Sequence, residues 1–162
     1  MKKLSFLGLL SVLLIIGCKP QSNYTIGDPS SKLAGIAADW QISEVFIVDE
    51  VAINKDEADV SKYFTVDNDP FSINFNSESF TYATTGIKGI KYFGNTGTWA
   101  FDDNDFPTEI LVTPSDGTSP FTLSLLGPIR EVDQELQVQY FKGCSGSDPT
   151  MSLKLTFNRI NN

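Results

Sequence analysis

The chain has 162 residues, no histidine, and 20 acidic against 12 basic side chains, for a net charge of −8. Its only arginines are Arg130 and Arg159, so it lacks the clustered cations that displace counterions from a phosphate backbone, and nucleic acid is excluded as an expected partner. The missing histidine removes Ser-His-Asp and Cys-His nucleophiles, histidine-containing zinc sites and the usual general base near neutral pH. Only carboxylate chemistry survives, and among 20 acids some pair always resembles a glycosidase dyad, so neither an enzyme activity nor a cofactor is expected.

Lys2 and Lys3 precede an uncharged apolar run from Leu4 to Ile16, which ends at Gly17 and Cys18. The run falls short of the roughly 20 residues that span a bilayer, and a charged start, an apolar middle and a small residue before the cut describe a secretory signal. Leu14-Ile15-Ile16-Gly17-Cys18 resembles the lipobox of bacterial lipoproteins. That resemblance implies diacylation of the Cys18 thiol, cleavage before it, and attachment to the membrane through acyl chains. Residues 1–17 are then the signal peptide, and the mature chain keeps ten basic and 20 acidic side chains, a net charge of −10. So acidic a surface gives no electrostatic attraction to anionic lipid, which leaves anchoring to the acyl chains. Residues 18–31, rich in Lys, Pro, Gln, Ser, Asn and Gly, read as a flexible tether, and residues 32–162 as one domain. With Cys18 acylated, Cys144 has no partner for an internal disulfide.

Leu33, Ile36 and Ala37 fall at helical spacing behind Ser30 and Ser31, which predicts a short N-terminal helix. Trp40 opens the first strand, which runs to Glu50. Trp40, Ile42, Phe46 and Val48 share one parity while Val45 and Ile47 take the other, so a bulge is expected near Ser43 and Glu44. Residues 55–64 read as a loop with one helical turn. Phe71, Ile73 and Phe75 alternate with polar residues, and after Ser77-Glu78-Ser79 the alternation resumes at Phe80 and Tyr82, which predicts a hairpin. Residues 86–93, interrupted by Gly86 and Gly89, read as a weak strand or a loop. A strand over 97–101 carries Trp99 and Phe101 on one face. Residues 109–113 and 121–126 form a second hairpin around Pro114 to Pro120. Leu136, Val138 and Tyr140 alternate next, and Met151, Leu153, Leu155 and Phe157 make the cleanest strand. About eight short antiparallel strands predict an all-β, up-and-down meander that closes into a barrel with no open edge.

Three constellations bear on function. Asp102-Asp103-Asn104-Asp105 and Asp67-Asn68-Asp69 gather hard oxygen ligands as calcium requires, but neither continues into the glycine and distal glutamate of an EF-hand loop, so they read as solvated turns and no metal is expected. Phe46, Phe75, Phe80, Tyr82, Trp99 and Phe101 fall on apolar parity. They either fill the barrel or line a cup for one small apolar molecule, since eight strands enclose just enough room for either. Tyr63, Phe64, Tyr92, Phe93 and Phe106 lie in poorly patterned segments, where exposed rings could stack on sugars or meet a protein partner.

The lipobox, the segment Leu33 to Trp40 leading into a strand, Gly97-Thr98-Trp99-Ala100-Phe101-Asp102, Phe106-Pro107-Thr108-Glu109-Ile110 and the closing Leu153 to Arg159 together resemble an uncharacterised lipocalin-like, calycin-type family of Bacteroidetes lipoproteins. The resemblance covers nearly the whole mature chain and implies a lipid-anchored barrel in the cell envelope, at the outer membrane, with a binding role. Lipocalin ligand residues do not carry over: the Gly-x-Trp motif of true lipocalins lies at the first strand, whereas here the only one, Gly97 and Trp99, is in mid-chain. In an even-stranded meander the first and last strands are antiparallel neighbours, which places Trp40 beside Arg159. Arg159 shares the inward parity of Phe157, so either its guanidinium lies over the Trp40 indole, closing the barrel base as a similar pair does in true lipocalins, or it is solvated near a frayed terminus.

Overall fold

The computed structural model describes residues 31–66, 68–142 and 149–160. The expected signal peptide, Cys18, the tether up to residue 30, Asp67 and Cys144 lie outside the described residues.

The protein is all-β. Nine strands follow one another as β1 (Asp39–Asp49), β2 (Glu57–Asp59), β3 (Ser72–Asn76), β4 (Thr81–Thr85), β5 (Thr96–Phe101), β6 (Glu109–Pro114), β7 (Phe121–Leu125), β8 (Glu135–Lys142) and β9 (Met151–Ile160). All pairings are antiparallel between neighbours in space, and β1 also pairs with β9, so β1 and β3 to β9 close an eight-stranded up-and-down barrel. The extra strand, β2, pairs only with residues 46–48 of β1 and lies outside the ring. It occupies part of the stretch expected to be a loop with one helical turn; the turn follows it as a 3-10 element, Ser61–Tyr63.

The helix α1 (Lys32–Ile36) precedes the ring and is capped by Ser31, whose Oγ accepts from the Ala34 amide at 3.2 Å. It sits at the end of the barrel where β1 begins. The opposite end is covered by α2 (Ile87–Phe93), inserted between β4 and β5. This corrects the strand-or-loop expectation for residues 86–93. Gly86 and Gly94 flank the segment at positive φ (79° and 76°), and the Asp69 carboxylate accepts from the Ile87 amide at 2.9 Å, so of the two glycines that had seemed to interrupt a strand Gly86 precedes a helix and Gly89 lies within it.

The expected bulge is present: the β1–β9 register shifts between Ile42 and Glu44. It turns Glu44 outward to solvent and Val45 into the core, opposite Leu155. The same shift sends Phe46 to the outer face, opposite Lys154, so its expected place in the interior is corrected. A single extra residue inverts the parity of everything after it.

Candidate functional site

The interior is occupied by the protein's own rings. Phe75 meets Trp99 edge-on at 5.6 Å, and Trp99 meets Phe101 at 5.2 Å. Toward the α2 end, Phe71 contacts Phe157 at 5.4 Å and Phe93 at 5.3 Å, and Phe93 in turn touches Phe121 and Tyr140. Phe93 thus plugs the barrel at that end. Its carbonyl accepts from the Tyr82 hydroxyl, and Thr84 Oγ1 donates to the Gly94 carbonyl at 2.5 Å, which ties the plug to β4.

Of the residues expected to line a ligand cup, Phe75, Tyr82, Trp99 and Phe101 are buried in this packed core. Phe80 is not. It sits in the β3–β4 turn at a φ of 53°, is half exposed, and rests against the rim ring Trp99 at 5.6 Å. With Phe46 outside as well, the six residues do not surround one cavity, and Phe75, Trp99 and Phe101 pack ring against ring in the interior.

At the α1 end the expected closure is in place. Trp40 and Arg159 are register partners, and the guanidinium carbon stands 4.7 Å from the indole centroid. Arg159 also donates from Nε to the Asp133 carbonyl (3.1 Å) and from Nη2 to the Gly35 carbonyl (2.6 Å), while Trp40 Nε1 donates to the Ile36 carbonyl (2.9 Å). Both side chains therefore satisfy carbonyls at the end of α1, and the base is fastened from both strands. Gly35 is needed there because a Cβ would come within 2.7 Å of Ile129 Cγ2.

The acidic turn after β5 is explained by local hydrogen bonding. Asp102 accepts from the Thr108 hydroxyl (2.6 Å) and from the Thr108 and Glu109 amides, and Asp103 accepts from the Asp105 and Phe106 amides. Those bonds, the Thr108 hydroxyl first, hold the Asp102 carboxyl down at about 2. Glu50 is held in a second polar cluster. Its carboxylate accepts from Lys55 Nζ (2.8 Å), Ser152 Oγ (2.6 Å) and Gln139 Nε2 (2.8 Å), and these partners, Lys55 first, keep its pKa below the usual carboxylate value. Ser152 is buried and donates its proton to a carboxylate already matched by Lys55, so the cluster acts as a clip between the loop after β1 and the outer face of β8 and β9.

The aromatics expected to form an exterior surface divide. Phe64 and Phe93 are core residues, Tyr92 is half-buried, and Tyr63 and Phe106 are exposed. Among the described residues Phe106 is the most accessible ring, 82 % exposed, in a turn whose Asp105 and Phe106 amides are tied to Asp103. It stands over a cleft of about 860 Å³ lined by Ser31, Lys32, Leu33, Asn104, Asp105 and Arg130. Arg130 is fixed there by Asp133, with Nη2 to Oδ1 at 2.8 Å. Sequence reasoning named Phe106 as an exposed ring, Leu33 as part of a helix and Asn104 as part of an acidic turn, but did not join them with Arg130 into one site; they come from three separate segments, and only barrel closure brings α1 against the β5–β6 and β7–β8 turns.

Compared with known proteins, the chain matches no family model and no curated protein.

Proposed function

We propose that the protein is a lipid-anchored lipoprotein of the cell envelope, held at the outer membrane, in which a solid calycin-type barrel carries a glycan-binding cleft on its exterior. The observation that carries the binding half is the Phe106 cleft. An exposed aromatic face stands beside an amide, a carboxylate and two cationic side chains in a recess whose volume falls within the range of ligand clefts. A pyranose ring presents an apolar face and a rim of hydroxyls, so a flat ring takes the one and Asn104, Asp105 and Arg130 take the other. The interior reading, an apolar molecule inside the barrel, gives way to this one because the rings that would hold it contact each other. The anchoring half rests on Leu14 to Cys18. The relationship to lipocalin-like lipoproteins is supported by the eight-stranded ring, the capping helix α1 and the Trp40–Arg159 closure.

Titration of the mature protein with a panel of envelope oligosaccharides, followed by amide shifts, tests the binding half. Shifts at residues 31–33 and 104–106 that disappear in Phe106→Ala are expected; a panel that moves none of them rejects it. Intact-mass measurement on protein extracted from its own membrane tests the anchor independently, the expected species beginning at an acylated Cys18.

A further inference from the structure

A second recess lies on the outer face of the barrel and shares no lining residue with the Phe106 cleft. The bulge in β1 makes it. By turning Val45 into the core, the bulge leaves Glu44 and Phe46 together on the outside, although a phenyl ring gains nothing from facing water. Register sets the rest. Glu44 faces Thr156, Thr156 faces Gln137, and the Leu126 amide donates to the Gln137 carbonyl at 3.0 Å. The short Thr156 is therefore the floor of a trough between Phe46 and Glu44 on one side and Leu126 on the other. Lys154 reaches across β1 to Glu57, Nζ to Oε1 at 2.8 Å, and closes one end of it.

The recess holds about 140 Å³, well under the roughly 300 Å³ at which small-molecule pockets begin. It has room for one long side chain. Its surroundings carry an excess of negative charge. Glu57 is matched by Lys154, but Glu44 makes no ion pair among the described residues. Asp59 stands beside Phe46 in the register, accepts from the Ser61 amide and hydroxyl, and lies near Lys62. Glu135 accepts from the Gln137 amide group, and Asp56 just ahead of β2 adds to the same sign. Further along the face Glu50 and Lys55 pair with each other at 2.8 Å. Lys154 and Lys62 are thus outnumbered by Glu44, Glu57, Asp59, Glu135 and Asp56, and the unmatched Glu44 is the carboxylate that lines the recess.

We propose that this recess seats one arginine side chain presented by a partner protein. A guanidinium lies flat on an aromatic ring while its N–H groups fork to a carboxylate, and it gives up water more readily than an ammonium, so Phe46 and Glu44 together select arginine. Arginine is also one of the side chains that anchor protein interfaces from pockets of this kind. Leu126, 41 % exposed, offers an apolar neighbour of that arginine a place to bury. A second copy of the chain has no arginine to spare: Arg130 is paired with Asp133, and Arg159 closes the barrel base. An anionic lipid surface meets the wrong sign of charge. The site stands whether or not the Phe106 cleft binds a glycan.

The test titrates the protein with a blocked peptide, Gly-Ser-Leu-Arg-Leu-Ser-Gly, and with its lysine and citrulline versions, followed by amide shifts. Shifts confined to residues 44–46, 57, 126, 137 and 154–156 are expected for the arginine peptide, with affinity about tenfold lower for lysine and lost for citrulline, the neutral isostere. Glu44→Gln removes a charge from an exposed position, so it should weaken the arginine peptide about tenfold without moving the thermal midpoint. Phe46→Leu keeps an apolar wall without a ring and should erase the preference for arginine over lysine. Equal binding of the lysine or citrulline peptide, an unchanged affinity in Glu44→Gln, shifts centred elsewhere, or no binding at all would overturn the proposal. Acetylarginine amide or spermidine binding as tightly as the peptide would make the recess a small-molecule site, and self-association that shifts the same residues would give it to a second copy; either result rejects the partner protein.

Discussion

Gly89 lies against the ring of Phe71 so closely that a Cβ there would stand 2.4 Å from Cδ2 and 2.8 Å from Cε2. The contact seats α2 on the barrel mouth and lets Phe93, one turn further on, enter between Phe71, Phe121 and Tyr140.

Gly89→Ala therefore sets two effects against each other. Alanine is favoured over glycine in a helix by about 1 kcal/mol, whereas forcing a methyl into a packed ring costs about 1–3 kcal/mol. The clash should win, because Phe71 is fully buried and already held by Phe157 and Phe93. A lower urea midpoint with unchanged slope is the expected result; a gain in stability would show that the ring yields.

Removing the guanidinium from the barrel base should be felt just as clearly. Arg159→Ala loses the contact with Trp40 and leaves the Gly35 and Asp133 carbonyls without their donors, for an expected loss of about 1–3 kcal/mol. Arg159→Lys should recover little, since one ammonium cannot lie flat on the indole and reach two diverging carbonyls. Chemical denaturation of the two variants beside Trp40→Phe would separate the ring contact from the Nε1 bond to Ile36.

Acid should loosen the β5–β6 turn through Asp102. Its folded-state pKa is depressed to about 2, below the unfolded value near 3.9, so between those values the unfolded state binds the extra proton. The stabilisation is present above pH about 4 and fades as pH falls toward 2. In Asp102→Asn the decline of the thermal midpoint across that window should be shallower, and a carboxyl-carbon NMR titration of the parent should find Asp102 still ionised at pH 3.

Alkali should act through Tyr82, whose hydroxyl is pushed up to about 12, first by burial and then by the Asp116 charge. A phenol unperturbed in the unfolded chain ionises near pH 10. The stabilisation is complete below pH 10 and is lost as pH rises toward 12, so Tyr82→Phe should flatten the alkaline limb while lowering stability near neutrality by removing the bond to the Phe93 carbonyl. An ultraviolet phenolate titration that found every tyrosine ionising near pH 10 would contradict this.

Local pattern determined a good deal of this protein. Period-two alternation in residues 71–75, 97–101 and 151–157 marks strands whose inward faces are apolar, and an even-stranded meander of such strands brings the first beside the last, so the Trp40–Arg159 pairing follows from parity and strand count alone. Clashing parities at Ile42 and Val45 gave away the bulge, but its consequence for Phe46 depends on which side of the shift the residue falls. Residues 86–93 are the opposite case. Two of their glycines look like interruptions of a strand, and only the position of Phe71, supplied by a different segment, shows that Gly89 is small because a ring lies on it. Whether the aromatic rings would fill the barrel or line a cavity also lay beyond pattern, because periodicity reports the face a side chain takes and says nothing of the distance across the ring. The Phe106 cleft is tertiary in the same sense. It is assembled from segments far apart in the chain, each too short to carry a pattern, and becomes a surface only when the closed barrel sets those segments side by side.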